Sequence, residues 1–307
     1  MYMHAGLSNE PMWHFISDHI SRATASCFLC QHKEQIAGGD THQAFLIKDT
    51  AARYFVKIRP HQGPLQLRHE AEGLTAIQAT NTINTPRVVC HGITDEGNNS
   101  HEYLVQGFLR FTRPEASDWH ALGAQLAQLH CPTERPPLDQ KFGWSHNNYL
   151  GKTEQCNDTY QTWSVFFSEC RIGAMLENLA RQGHRLVNPD VFVTQTELFL
   201  QGHSPTPSLV HGDLWSGNVG HTGKGPVIFD PAVHFADRET DLAMTELFGR
   251  LPEPFYVAYH EAAPLKDGYE QRKQLYQLYH WLNHAVMFGD NYLDEAKSAI
   301  IRCQKMY

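Results

Sequence analysis

Apolar residues recur with a helical period near the start of the chain and with a shorter period after it. Trp13, Ile16 and Ile20 are three to four residues apart, which predicts an amphipathic helix. The apolar runs 44–47 and 54–58 follow, separated by a polar turn, and this pattern is typical of two strands joined in a hairpin. We therefore expect an antiparallel hairpin after the first helix.

A second helical pattern separates this hairpin from two further strands. Its apolar positions run from Leu67 to Ile77, and the strands are predicted at 87–90 and 103–105, on either side of a turn rich in Gly, Asn and Ser. From about Pro114 onward the apolar spacing is mainly helical. The pattern predicts a small, sheet-rich first lobe and a larger, mainly helical second lobe.

Two short apolar runs interrupt the helical part of the chain. Residues 208–210 and 227–229 are expected to form the two buried strands of one small ribbon, and each leads directly into polar residues. The predicted fold class is α+β, with a first lobe at 1–108 and a second lobe at 109–307.

Composition and charge exclude several classes of function. Of the 307 residues, 41% are hydrophobic and 19% are charged, which is typical of a globular protein. No apolar run approaches the ~18 residues that span a bilayer, and no secretion signal is evident, so we expect a cytoplasmic protein without membrane contact. A formal charge of −8 argues against a nucleic-acid partner and favours a cationic or small neutral substrate.

The cysteines indicate a reducing compartment. There are seven, an odd number with irregular spacing, so they do not form a disulfide framework. Cys27 and Cys30 have the spacing of half a zinc site, but no second pair follows at ligand spacing. We expect these two thiols to be half-buried on one face of a helix end.

The strongest chemical signal is the segment His211–Asn218, which follows one short strand, together with Phe229–Pro231 at the end of another. Phosphoryl transfer from ATP needs a carboxylate that accepts the proton of the attacking hydroxyl, and oxygen ligands that hold Mg²⁺ on the phosphates. Asp213 suits the first role. Asn218, five residues later, has the spacing of the metal-binding Asn in the catalytic loop of protein kinases, and Asp230 suits the main metal position.

Each of these residues has an ordinary structural explanation when it is considered alone. A His-Gly-Asp sequence forms tight turns, Asp before Pro ends strands, and Asn is a frequent turn former. The order, the spacing and the strand context together favour the catalytic interpretation.

An ion pair is predicted in the first lobe. Lys57 lies on the second strand of the hairpin, where kinases keep the lysine that contacts the α- and β-phosphates of ATP. Glu70 or Glu72, on the next helix, could be its partner, and we favour Glu70. A lysine on an exposed strand would otherwise be solvated.

Two further segments are assigned to nucleotide binding. The turn Gly38-Gly39-Asp40 precedes the hairpin, and glycines allow backbone N–H groups to approach phosphate closely, although the full glycine-rich kinase pattern is absent. The second segment lies at the expected lobe boundary and comprises Gln106, Gly107, Phe108 and Leu109.

These motifs resemble the fructosamine kinase (ketosamine 3-kinase) family, in order and over nearly the whole chain. The most specific stretches are His211–Asn218 and Asp237–Met244, which go beyond what aminoglycoside phosphotransferases share. The resemblance implies a two-lobed, protein-kinase-like fold and the phosphorylation of a sugar hydroxyl on a ketosamine, with ATP and Mg²⁺ as cofactors. The chain lacks the Asp-Phe-Gly and Ala-Pro-Glu motifs of protein kinases, so regulation by an activation loop is not expected.

The resemblance also suggests residues for the acceptor side. Hydrogen-bonding groups for the sugar, and acidic or aromatic groups for a protonated amine, would come from His211, Trp215, Asp237, Arg238, Glu239, Asp241 and Trp281. The acidic residues in this set also fit a charged helix start, because the helix dipole favours carboxylates there.

Two other functions stay open at this point. A kinase for another hydroxylated amine, such as an aminoglycoside or a choline-like molecule, would share the same ATP site, because the fold leaves the acceptor pocket free to vary. A catalytically silent binding module would keep the fold without turnover, but intact Asp213, Asn218, Asp230 and Lys57 weigh against it. The amine part of the acceptor and the oligomeric state are not determined by the sequence.

Overall fold

The computed structural model describes residues 11–36, 42–95, 99–132 and 139–307. The predicted phosphate-covering turn Gly38-Gly39-Asp40 lies outside the described residues. The chain divides into two compact units, Met1–Ala79 with Thr85–Phe111 and Thr80–Asn84 with Thr112–Tyr307. The segment 80–84 groups with the second unit because the carbonyl of Asn84 accepts a hydrogen bond from the N–H of Ile228, at 3.0 Å.

The first unit is built on a five-stranded antiparallel sheet. Its strand order is β1-β2-β3-β5-β4, and the predicted hairpin is present as β2 and β3, with Ala44 opposite Lys57. The elements are α1 (Pro11–Thr24), β1 (His32–Ile36), β2 (Gln43–Lys48), β3 (Arg53–Pro60), α2 (Gln66–Ala79), β4 (Val88–Ile93) and β5 (His101–Gly107).

The two helices of this unit pack against different residues of the sheet. Side chains alternate along a strand, so neighbouring residues of β3 face opposite sides. Val56 packs in the same apolar cluster as α1 residues such as Ile16, whereas Leu104 packs with Leu74 of α2. Lys57 is the residue opposite Leu104 and therefore lies on the α2 side of the sheet.

The second unit is mainly helical. Its large apolar core combines residues of the central helices with aromatic residues near Trp163. None of the helices in the described part of the chain has the length and apolar character to cross a bilayer. The helices are α3 (Ala116–His130), α4 (Trp163–Phe166), a π-helical segment (Phe167–Gly173), α5 (Ala174–Arg181), α6 (Pro189–Leu200), a 3₁₀ turn (Ser216–Asn218), α7 (Glu239–Thr245), α8 (Glu253–Ala262), α9 (Tyr269–Phe288) and α10 (Asp290–Gln304). The strands are β6 (Asn148–Leu150), β7 (Thr153–Gln155), β8 (Ser208–Val210), β9 (Val219–Thr222), β10 (Gly225–Ile228) and β11 (His234–Ala236).

The strand pairing of this unit corrects one prediction. The runs 208–210 and 227–229 were expected to pair with each other, but β8 pairs with β11 and β10 pairs with β9. β9 and β10 are joined by a two-residue turn, and such a local hairpin forms at low entropic cost, which leaves β8 to pair with a strand further along the chain. The polar loop after β8 therefore starts from the β8–β11 ribbon, and the polar loop after β10 starts from the β9–β10 ribbon.

The interpretation of Cys27 and Cys30 is also corrected. They do not share a face of a helix end, because α1 ends at Thr24 and Ala25 has a φ of 52°, in the left-handed region that stops a helix. Cys27 is exposed and Cys30 is buried.

Candidate active site

The first unit contains a buried ion pair between β3 and α2. The Nζ atom of Lys57 lies 2.7 and 2.8 Å from the two carboxylate oxygens of Glu70, and Lys57 is only 2% exposed. The amide nitrogen of Gln106, on β5, donates a further hydrogen bond to Glu70 at 3.0 Å. A buried charge needs a partner with good geometry, so these contacts hold the ammonium group in one place. The predicted pairing of Lys57 with Glu70 is confirmed.

The alternative partner, Glu72, is engaged elsewhere. Its carboxylate accepts a hydrogen bond from Nε of Arg68 at 2.9 Å and lies 3.3 Å from Nδ1 of His69. Residues two apart on a helix point in different directions, so Glu70 and Glu72 cannot both face the sheet.

The segment assigned to nucleotide binding begins inside the sheet and then leaves it, because β5 ends at Gly107. The side chain of Gln106 is buried in the ion-pair network, and the N–H of Gly107 donates to the carbonyl of Arg87 at 2.8 Å. Phe108 and Leu109 are half-buried. These two residues therefore keep side-chain surface that a ligand could contact.

In the second unit, the β9–β10 hairpin places Asn218 close to Asp230. Val219 pairs with Ile228, and the N–H of Phe229 donates to the carbonyl of Asn218 at 3.1 Å. Asp230 follows at once, with its backbone in the left-handed region at φ 59°. This conformation is uncommon for residues other than glycine and is concentrated at functional sites.

Asn218 also holds the loop that contains Asp213. Its amide nitrogen donates to the backbone carbonyl of Asp213 at 2.8 Å and to Oδ2 of the same residue at 3.1 Å. The amide oxygen of Asn218 is then the atom that can face a cation. Asp213 and Asn218, two members of the predicted cluster, are thus in direct contact.

The carboxyl group of Asp213 titrates near neutrality. Burial raises the pKa of Asp213 to about 7, and the neighbouring carboxylate of Asp230 acts in the same direction, while the hydrogen bond from Asn218 opposes both. A carboxylate with such a pKa is matched to proton transfer near pH 7.

His211 links the two loops of the site from beneath. It is fully buried, its Nε2 donates to the carbonyl of Phe229 at 2.9 Å, and its Nδ1 accepts from the N–H of Asp213 at 3.2 Å. Burial lowers the pKa of this ring, which is consistent with a neutral imidazole. Both ring nitrogens are used within the protein, so His211 positions these two loops.

Gly212 allows these loops to approach each other closely. Its φ is 82°, and a Cβ atom at this position would lie 2.2 Å from the carbonyl oxygen of Ala232. No other residue type fits there without moving the backbone.

Asp241, on α7, is a second anchor of the segment His211–Asn218, which is the predicted catalytic loop. Its two carboxylate oxygens accept hydrogen bonds from the backbone N–H groups of His211 and Gly212, at 2.7 and 2.8 Å, and Oδ2 lies 3.1 Å from Nε2 of His130. Burial opposes ionisation of Asp241, but the bonds from His130 and the His211 amide outweigh it and hold the pKa of this carboxyl below its usual value. Asp241 is 1% exposed, and its carboxylate oxygens contact this loop and His130.

The hydrogen bonds behind Asp241 form a chain that ends at Arg238. An ionised Asp241 can only accept, so Nε2 of His130 carries a proton. Nδ1 of His130 lies 2.8 Å from the hydroxyl oxygen of Tyr259, and this oxygen accepts from Nη1 of Arg238 at 2.9 Å. Arg238, predicted to contact the acceptor, thus supports the catalytic loop from behind.

Asp237 and Glu239 are also engaged within the second unit. Oδ2 of Asp237 accepts from the hydroxyl of Tyr276 at 2.7 Å and lies 2.6 Å from Nε2 of His203. Glu239 forms a bidentate pair with Arg272 at 2.7 and 2.8 Å. The polar atoms of both carboxylates are used by the protein, which matches the helix-start interpretation of this stretch.

The expected aromatic residues lie in one cluster. The ring centre of Phe248 lies 6.1 Å from that of Trp215, 5.4 Å from that of Trp281 and 4.8 Å from that of His284. Tyr292 extends the group, at 5.1 Å from His284. We call these five half-buried residues the aromatic cluster. It begins two residues after Asp213.

A buried polar network underlies the loop after Asp230. The amide nitrogen of Gln155 donates to Oδ1 of Asn148 at 2.8 Å and to the carbonyl of Ala232 at 3.1 Å, and its oxygen accepts from the hydroxyl of Tyr279 at 2.9 Å. Asn148 donates to the carbonyl of Val233 at 2.8 Å. The network fixes the backbone that leads away from Asp230.

Several of these supporting residues were missed by sequence reasoning. His130, Tyr259, Gln155 and Phe248 have no motif of their own, and each looks like an ordinary core or helix residue in the sequence. The only available signal was the acidic stretch that begins at Asp237, which indicated that this region serves the site without showing how.

Magnesium fits the donor set of the second unit. Mg²⁺ prefers oxygen ligands and is usually held by one or two carboxylates together with substrate phosphates. Asp230 offers a carboxylate, and Asn218 offers an amide oxygen whose orientation is fixed by the bonds from its nitrogen to Asp213.

Comparisons with known proteins agree with this architecture. The family model for fructosamine kinase matches residues 12–306. A "Probable ketoamine kinase" of Synechocystis sp. is 40% identical over 301 residues, which cover 97% of this chain and 99% of the relative. A crystal structure from Haemophilus somnus, of a protein provisionally named fructosamine-3-kinase, has 31% identity and a TM-score of 0.89, and covers 97% of this chain and 99% of that one.

More distant structures show the fold alone. The aminoglycoside phosphotransferase APH(4)-Ia is 16% identical, with a TM-score of 0.60 and coverage of 95% of this chain and 97% of that one. The fold is protein-kinase-like, and the family match defines the class of enzyme as a phosphotransferase with an alcohol group as acceptor. The chain belongs to the fructosamine kinase family.

Proposed function

We propose that the protein transfers the γ-phosphoryl group of ATP to a sugar hydroxyl of a ketosamine of the fructosamine or ribulosamine type. The observation that supports this most is the contact of Asp213 with Asn218, on a loop that the β9–β10 hairpin brings near Asp230. Membership of the fructosamine kinase family supports ATP as the donor and a ketosamine as the acceptor.

Asp213 is the proposed general base. It accepts the proton of the acceptor hydroxyl as that oxygen attacks the γ-phosphorus, which is the role of the catalytic aspartate in kinases. Its carboxylate is half-buried and contacts Asn218, which suits a group that takes a proton from a substrate hydroxyl. Asn218 orients the carboxylate through its bond to Oδ2.

Asn218 and Asp230 would hold the magnesium ion. The bound ion supplies positive charge that neutralises the phosphate oxygens during transfer. The left-handed backbone at Asp230 and the bond of His211 to the carbonyl of Phe229 fix the backbone position from which the Asp230 side chain extends.

Lys57 would contact the α- and β-phosphates of the nucleotide. Its ammonium group is held against Glu70 and carries the positive charge that attracts an anionic phosphate. The pair is further held by Gln106, so a role of Gln106 in nucleotide binding would act through Glu70.

The aromatic cluster is the proposed subsite for the amine. A ketosamine contains a secondary amine that is protonated near neutral pH, and cations bind to aromatic faces, best to tryptophan. Trp215 and Trp281 supply two indole rings, bridged by Phe248. The formal charge of −8 further favours a cationic acceptor. The polar residues 237–241 would act indirectly, by holding the catalytic loop.

A coupled assay of ADP release across a panel of acceptors tests this function. The panel contains a fructosamine and a ribulosamine made from a simple primary amine. Free fructose, glucose, choline and kanamycin are assayed separately as alternative acceptors. We expect kcat/KM for the ketosamines to be at least about 100-fold higher than for the free sugars, because an empty amine subsite loses binding used in the transition state. Preference for kanamycin or choline would replace the ketosamine assignment, and equal rates on free fructose would show that the amine is not recognised.

A further inference from the structure

Two thiols in the second unit lie unusually close together. The Sγ atoms of Cys156, just after β7, and Cys170, in the π-helical segment, are 3.2 Å apart. Cys156 is half-buried and Cys170 is 3% exposed. The site proposed above uses neither residue, and their spacing of 14 residues matches no metal or disulfide motif that the sequence suggested.

The surroundings favour an ionised Cys156. The hydrogen bond shared with the Cys170 thiol is the largest influence and lowers the pKa of Cys156 against the effect of burial, and the Arg171 guanidinium acts in the same direction. The pKa of Cys170 is raised, first by this same hydrogen bond and then by burial. The more accessible sulfur is thus the more nucleophilic one, since the thiolate is the reactive form.

We propose that Cys156 and Cys170 form an oxidant-reactive dithiol, a site of covalent modification by low-molecular-weight disulfides such as oxidised glutathione. Cys156 is the attacking thiol and Cys170 is the resolving thiol.

The reaction balances with one disulfide consumed. The Cys156 thiolate attacks a sulfur of the small disulfide, an S–S bond forms to the protein, and one small thiolate leaves. Cys170 then attacks Sγ of Cys156, its proton passes to the second departing small thiolate, and an intrachain disulfide remains. Two protein thiols are oxidised and one small disulfide is reduced to two thiols. The sulfurs must approach from 3.2 Å to about 2 Å, a movement of about 1 Å.

The dithiol is linked to the loop beneath the active site. Gln155 immediately precedes Cys156, and its amide nitrogen donates to the carbonyl of Ala232, two residues after Asp230. Next to Cys170, the guanidinium of Arg171 donates to the backbone carbonyl of Cys156 and to Oδ1 of Asn157. A disulfide to the π-helical segment therefore moves Cys156, the residue that directly follows Gln155, and disturbs the bond of Gln155 to Ala232. We expect oxidation to lower kcat several-fold for this reason.

Peptide mapping after treatment with oxidised glutathione tests the modification without any kinase substrate. We expect a disulfide between Cys156 and Cys170 in the wild type, and a stable glutathione adduct on Cys156 in Cys170→Ser. The exposed Cys27 should keep an adduct, because the structure shows no thiol in hydrogen-bond range of it among the residues described. A Cys27→Ser variant should lose that adduct and keep the disulfide.

Two outcomes would overturn the chemical assignment. One is a persistent glutathione adduct on Cys156 in the wild type, and the other is Cys156 that stays unmodified while Cys27 reacts. Either result would mean that the two thiols are merely packed together.

The link to the active site rests on the proposed function and is tested by steady-state kinetics on a ketosamine. Oxidised wild type should have a several-fold lower kcat that dithiothreitol restores, and Cys156→Ser should be insensitive to the oxidant. A full kcat in protein whose disulfide is mapped would refute the link. A reduced enzyme that is inactive on every acceptor would refute the proposed function and leave the mapped disulfide unaffected.

Discussion

The Nε2 atom of His130, at the end of α3, lies 3.1 Å from Oδ2 of Asp241, and this contact joins a helix with no catalytic motif to the anchor of the catalytic loop. Both residues are buried, and Asp241 in turn accepts the backbone N–H groups of His211 and Gly212. The position of Asp213 therefore depends on a residue 111 positions away from Asp241 in the sequence.

Substitutions at His130 should separate a donor role from simple packing. The amide nitrogen of glutamine reaches about as far as Nε2 of histidine, whereas that of asparagine reaches only as far as Nδ1. We expect His130→Asn to lower kcat by about 10-fold or more, because Asp241 loses a charge-assisted bond worth about 1.5–3 kcal/mol. His130→Gln should recover most of the loss. KM for ATP should change little in both.

Hydrogen exchange provides a readout that does not depend on turnover. The amides of His211 and Gly212 should exchange faster in His130→Asn than in His130→Gln, since their acceptor is less firmly held. Equal exchange and equal kcat in the two variants would limit His130 to a packing role.

Replacing Asp213 with asparagine should abolish turnover and preserve nucleotide binding. The lost carboxylate acts on the acceptor hydroxyl, so we expect kcat to fall by at least about 100-fold, the usual contribution of a general base. Isothermal titration with Mg-ATP should give an affinity close to that of the wild type. An unchanged kcat would remove Asp213 from the mechanism.

Asp230→Asn is the matched variant for this measurement. It removes a charged metal ligand, so it should weaken Mg-ATP binding as well as turnover. Wild-type affinity together with full activity would move the metal site elsewhere.

Lysine replacements on the β2–β3 hairpin test the ion pair of the first unit. Lys57→Met should raise KM for ATP or lower kcat by a large factor, because it removes the buried cation that balances the charge of Glu70. Lys48→Met changes an exposed residue at the end of β2 and should have little effect on either constant. An inactive Lys48 variant together with an active Lys57 variant would contradict the role assigned to Lys57 on the β2–β3 hairpin.

The buried histidines predict a loss of stability in mild acid. Burial lowers the pKa of His280 to about 3, with His284 and Arg171 acting in the same direction. In the unfolded chain the ring titrates near its ordinary pKa of about 6.5. Between these values the unfolded state binds more protons, so the free energy of unfolding falls as the pH is lowered, by about 1.4 kcal/mol per pH unit for one such ring.

Urea denaturation between pH 5 and 8 measures this effect. His280→Phe keeps an aromatic ring without a titrating group, and Nδ1 of His280 has no hydrogen-bond partner within the described part of the chain. The variant should show a shallower slope below pH 6.5 and a constant offset from the wild type above pH 7.5. Parallel curves throughout would mean that His280 takes up its proton in the folded protein as well.

The sequence alone determined the features that depend on local patterns. Alternating and helical periods gave the hairpin of β2 and β3 and the helices on either side of it, since these arise from contacts between neighbouring residues. The spacing from Asp213 to Asn218 indicated a catalytic loop because five residues are enough to form the turn that joins them. The resemblance of the motifs to one family was confirmed by the family match over residues 12–306.

Only the tertiary structure decided which distant residues meet. The pairing of β8 with β11, the bond of His130 to Asp241 and the contact of Cys156 with Cys170 join residues that share no periodic pattern. The same limit explains the acidic stretch at 237–241, whose composition suits either a ligand site or a helix start. Whether a carboxylate holds a loop or faces a ligand depends on the donors that fold against it. For Asp241 these donors are two backbone amides and a buried imidazole, which no local pattern in the sequence brings together.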